Sequence, residues 1–107
     1  MTADDLTTAQ EYVELAKQRH QYSFFLHFIS AKFYNQCGQW HDAIKQATDG
    51  INMYSTGSYV FLHIERCEAA INLGNAALAQ TDLDIIVNFP AHAATYTSLA
   101  QRLGNLL

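Results

Sequence analysis

The residues with the most chemistry to offer are five histidines, two cysteines and the acids that stand among them. His63 and Cys67 are four positions apart, a spacing that puts both on one face of a helix, with Glu65 and Glu68 beside them. His27 precedes His63 by the offset at which the sequence repeats itself, so the two would occupy matching places in neighbouring helices, within about 10 Å. A zinc ion would still need third and fourth ligands, for which Cys67, Glu65 and Glu68 are the candidates. The competing role is packing, with each imidazole filling an aromatic position and one ring nitrogen bonded. Cys37 and Cys67 likewise fall where small apolar side chains are wanted, which makes them core thiols. We expect packing to win, with no metal and no cofactor. No nucleophile with its base, phosphate loop or pair of catalytic carboxylates appears, and His41-Asp42 reads as first-turn charge on a helix. No enzyme is expected.

The elements that hold these residues follow from pattern and composition. The chain has 107 residues, 50% of them hydrophobic and 15% charged, which suits a single globular domain with a modest core. The net charge of −4 and six scattered basic residues exclude a nucleic-acid surface, which needs clustered Lys and Arg. No apolar run reaches about 18 residues and no Lys/Arg-led signal segment opens the chain, so no membrane insertion is expected. Two cysteines suit a reducing compartment, and a cytoplasmic location is expected.

Between Ser30 and Ile51 small and bulky residues follow a set order: Ala31, Tyr34, Gly38, Trp40, Ala43. It reads as the end of one helix, a turn at Gly38 and a second helix. The order returns 36 positions later, with Phe25 mapping to Phe61, Ala31 to Cys67, Tyr34 to Ala70, Gly38 to Gly74 and Ala43 to Ala79. This pattern resembles the tetratricopeptide repeat (TPR), a helix–turn–helix unit of about 34 residues that stacks on its neighbours. Cys67-Glu68 followed by Leu73-Gly74-Asn75-Ala76 also resembles a segment of the small TPR chaperones of bacterial type III secretion.

The resemblance implies an all-α fold, a right-handed superhelical stack of antiparallel helix pairs with about six helices. A capping helix over 5–18 is expected from Leu6, Ala9, Val13 and Ala16 at helical steps. Repeat 1 then occupies 24–57, with helices near Ser23–Cys37 and Trp40–Met53. Repeat 2 occupies 60–90, with a helix near Tyr59–Leu73, a turn at Gly74-Asn75 and a second helix from there to about Asn88, which Pro90 ends. A solvating helix over 91–107 presents Tyr96, Leu99, Ala100, Leu103 and Leu107 on one face. The chain departs from the family pattern at His27, His63, Ser30, Arg66, Ala47, Gly50 and Ser55.

In TPR arrays the first helices of the repeats line a concave groove. By resemblance, the partner-binding positions in repeat 1 are Phe25, Phe28, Ile29, Lys32 and Asn35. Those in repeat 2 are Phe61, Ile64, Glu65, Glu68 and Ile71. The clamp by which some TPR domains grip a C-terminal carboxylate is absent, because Phe28 and Glu68 stand at two of its positions. What remains is an apolar strip with a charged rim, suited to an amphipathic helix or apolar segment of another protein. The expected function is therefore an adaptor or chaperone. The alternative is a structural module in which the aromatics and Leu106-Leu107 join identical copies into a homodimer.

Overall fold

Two glycines set the frame, because only a residue without a Cβ adopts positive φ freely. Gly38 has φ +75° and Gly74 φ +76°. At the first, the Gln39 amide donates to Tyr34 O (2.8 Å) and the Gly38 amide to Asn35 O (3.1 Å). At the second, the Asn75 amide donates to Ala70 O (2.8 Å) and the Gly74 amide to Ile71 O (3.0 Å). Both are Schellman turns, which satisfy the last free carbonyls of a helix while reversing the chain. They match bond for bond at the spacing of 36 on which the sequence repeats.

The structure, a computed structural model, describes residues 11, 24–53 and 60–107. Among the described residues there are five α-helices, one 3-10 turn and no strand. They are α1 (Phe24–Gln36), α2 (Trp40–Met53), α3 (Val60–Leu73), α4 (Ala76–Ile86) and α5 (Ala93–Leu106), with Pro90–His92 forming the 3-10 turn. Of the expected capping helix only Glu11, helical and exposed, lies within the described residues. The rest of that helix and the loop around Ser55 lie outside them, as do the side chains of Phe24 and Phe25.

Each turn joins an antiparallel pair. In the second, His63 meets Asp82 while Cys67, one turn on, meets Ala79 further back. In the first, Tyr34 packs with Ala43, and His27 lies against Gly50. That last contact explains why a glycine stands at position 50. A Cβ on Gly50 would lie 2.8 Å from Leu62 Cδ1 and 2.9 Å from His27 Cβ. Glycine lets α2 wedge against α1 and α3 together.

The larger core cluster joins α3, α4 and α5 through Val60, Cys67, Ala70, Ile71, Leu83, Ile86, Leu99 and Leu103. A smaller one holds Tyr34, Ala43 and Ala69 where the pairs meet. The boundary Trp40–Met53 is the one expected. The end of the second pair is different: α4 stops at Ile86, before Pro90 acts on it. Phe89 is extended (φ −116°, ψ 92°), as a residue before proline prefers, and Pro90 opens the 3-10 turn instead. Leu99 and Leu103 are buried as expected, whereas Leu107 is 88% exposed.

Candidate functional site

The face shared by α1 and α3 carries the candidate site. On α1, Phe28, Lys32 and Asn35 recur at steps of four and three, and on α3 Phe61, Glu65 and Glu68 do the same. The two rows run side by side. Phe28 and Phe61 meet with ring centroids 5.5 Å apart, and Phe61 meets the His92 ring edge-on at 5.1 Å. Phe61 nevertheless stays 45% exposed. The Lys32 ammonium lies 5.9 Å from the Phe28 ring centroid, within range of a weak cation–π attraction.

Beyond this aromatic end the face opens into a cleft of about 300 Å³, bounded by Lys32, Asn35, Gln36, Ile64, Glu65 and Glu68. Asn35 bridges its floor, donating from Nδ2 to the Glu65 backbone oxygen (2.9 Å) and to Glu65 Oε1 (3.3 Å). Burial pushes the Glu65 carboxyl above its ordinary value of 4.5; the Asn35 hydrogen bond works against that shift and the neighbouring Glu68 with it. Glu68 forms an ion pair with Arg102, which ties α5 to the far wall.

The expected groove positions therefore divide. Phe28, Ile29, Lys32, Phe61, Ile64, Glu65 and Glu68 are exposed or partly so. Asn35 is buried, at 7% exposure, and holds the two helices together. Ile71 lies in the core beside the buried α5 leucines and does not reach the groove. The Phe25 side chain lies outside the described residues.

The histidine and cysteine pattern has a different outcome. His63 Nδ1 donates to Asp82 Oδ1 (2.8 Å), and Asp82 is fully buried. The Arg66 guanidinium donates to the same carboxylate from Nε (2.9 Å to Oδ2) and Nη2 (2.8 Å to Oδ1), and from Nη1 to Thr48 Oγ1 (3.3 Å). Asp82 thus ties α4 to α3, and Arg66 carries the link on to α2. Cys67 Sγ donates to Ala79 O (3.6 Å), and burial, followed by the charges of Asp82 and Glu68, pushes its thiol up to about 12. Such a thiol is a packing group and a poor nucleophile. Among the described residues no group of three or more His, Cys, Asp or Glu is placed to hold a metal ion.

Asp82, His92 and Arg102 were not anticipated from sequence. Arg66 at an inward position is the signal that could have found Asp82, because a buried guanidinium requires an acid on the facing helix. His92 offered no such signal, since it reaches Phe61 through the Pro90 turn. No helix among the described residues is long and apolar enough to cross a membrane. No protein-family model matches the chain, and no curated protein or solved structure resembles it closely enough to count as a match.

Proposed function

We propose that this chain is a TPR-type helical repeat protein that binds an amphipathic helix or apolar segment of another protein across α1 and α3, acting as an adaptor or chaperone without catalysis. The observation that carries the reading is the Phe28–Phe61–His92 strip, left half-open beside a charged cleft on the face where two equivalent helices lie adjacent. The matched Schellman turns and antiparallel pairs support the repeat reading, and the right-handed superhelical stacking belongs to this proposal. The resemblance to secretion chaperones gains less support. Its residues serve the fold itself: Cys67 packs on Ala79, and Leu73 to Ala76 spans the turn.

The test is fluorescence anisotropy with a panel of labelled amphipathic helical peptides. Phe61→Glu puts a charge into the strip and should weaken any peptide that binds by at least about tenfold, or roughly 1.4 kcal/mol. Far-UV circular dichroism should not change, because Phe61 contributes little to the core. Equal binding by the variant would refute the reading.

A homo-oligomerisation module is the second reading, favoured by Leu106 and Leu107, which are 48% and 88% exposed at the end of α5. Light scattering against concentration separates the two. A concentration-independent dimer supports the module, and a monomer supports the adaptor.

A further inference from the structure

The face formed by α1 and α3 is complementary to itself. The two helices run in the same direction, because Phe28 meets Phe61 and, further along both, Asn35 meets Glu65. At one height each helix carries a phenylalanine. One turn on, about 6 Å, α1 carries Lys32 and α3 carries Glu65, with Glu68 following on α3. The cation therefore stands on one row and the anions on the other. Lys32 and Glu65 line the same cleft, yet neither makes an ion pair among the described residues, whereas Glu68 is held by Arg102.

Resting on the groove reading, we propose that without its partner the chain closes this face on a second copy of itself, about a two-fold axis parallel to α1 and α3. Such an axis lays α1 of each copy on α3 of the other and keeps every height. Phe28 then covers the second copy's Phe61, and Lys32 meets the second copy's Glu65, each contact occurring twice. A two-fold axis across the helices would also bury the phenylalanines, but it turns the charged ends away from each other. Charge complementarity thus selects the first arrangement. Area sets its strength. Helices of 13 and 14 residues present a face of about 20 by 20 Å, so two copies bury about 800 Å² in all. That is short of the roughly 1,200 Å² at which stable interfaces begin, and the net charge of −4 on each copy adds repulsion. The dimer is therefore reversible, with a dissociation constant of about 0.1–1 mM, and a tighter partner displaces it.

The experiment is sedimentation equilibrium of the full chain from about 10 μM to about 2 mM, which spans that constant. A monomer is expected at the low end and a substantial share of dimer at the high end. Lys32→Glu sets like charges together at both contacts, as does Glu65→Lys, and each variant alone should associate at least about tenfold more weakly. Mixed one to one, the two variants again place a cation opposite an anion at both contacts. The mixture should recover association to within about threefold of the unmodified chain. Isotope-filtered NOEs between labelled and unlabelled unmodified copies should link Phe28 to Phe61 and Lys32 to Glu65. They carry the test if circular dichroism shows that Glu65→Lys fails to fold.

A monomer across the whole range would overturn the proposal. So would a dimer that Lys32→Glu leaves intact, or folded variants whose mixture stays monomeric. A peptide panel separates this inference from its parent. If an amphipathic peptide binds across Phe28 and Phe61 while the free chain never pairs, the groove stands and the self-closure falls. If the copies pair through this face and no peptide in the panel displaces them, the pairing stands and the groove reading falls.

Discussion

Asp82→Ala removes the acceptor on which the second helix pair is built. In the folded chain this carboxylate has 0% exposure and takes hydrogen bonds from Arg66 and His63, whose side chains are 12% and 6% exposed. Removing it leaves a guanidinium and an imidazole without their acceptor in surroundings that water barely reaches. Breaking a buried ion pair by deleting one partner costs about 3–5 kcal/mol. Against a total stability of about 5–15 kcal/mol, that is about a fifth of the fold or more. At about 4 °C or more per kcal/mol, the melting temperature should fall by at least about 12 °C. Urea denaturation followed by circular dichroism reads the loss directly. The companion variant Arg66→Met/Asp82→Leu should recover the share that comes from the stranded guanidinium, because apolar side chains of similar volume replace buried ion pairs at little or no cost, while His63 stays without its acceptor. A loss below about 1 kcal/mol for Asp82→Ala, the range of an exposed ion pair, would refute the reasoning. A double variant as unstable as the single would do the same.

Three further outcomes are expected. Gly50→Ala gains about 1 kcal/mol in helix propensity, but its methyl group overlaps Leu62 and His27, and overpacking costs about 1–3 kcal/mol, so a net loss should appear in thermal melts. Glu65 holds its proton more tightly when folded than its ordinary 4.5, so its favourable contribution is complete below that value and is lost as pH rises through the folded value. Glu65→Gln should therefore melt higher than the unmodified chain at pH 7, with the advantage vanishing near pH 4; an advantage that grew at low pH would contradict the assignment. Cys67, with its thiol pushed up to about 12, should react with a thiol reagent at neutral pH much more slowly than the partly exposed Cys37, which mass spectrometry of the labelled peptides would show.

Much of the architecture was legible because it depends on small residues at fixed places. Gly38 and Gly74 announced their turns through a backbone requirement that no other residue meets cheaply. Ala31 and Cys67 marked close helix contacts through size alone. Arg66 and His63 were visible as departures, but their common partner was not, since Asp82 sits in a stretch, Thr81-Asp82-Leu83-Asp84, that reads as ordinary helix surface. The groove was legible only as two rows of residues. Resemblance to the repeat placed Ile71 in one row, and whether it faced the cleft or the α5 leucines depended on where α5 docked, which periodicity along one helix does not encode. The same limit applies to Pro90: a helix break was evident, but its distance from Ile86 followed from how Phe89 packs against the core cluster.

A chemical-shift map of the labelled chain with a binding amphipathic peptide is the most direct measurement of whether α1 and α3 form a protein-binding face. The account expects the largest changes at Phe28, Lys32, Asn35, Phe61 and Glu65, with the outer faces of α2 and α4 nearly unmoved. Changes centred instead on another hollow, about 120 Å³ between Ile86, Phe89, Pro90 and Tyr96, would place binding elsewhere and contradict it.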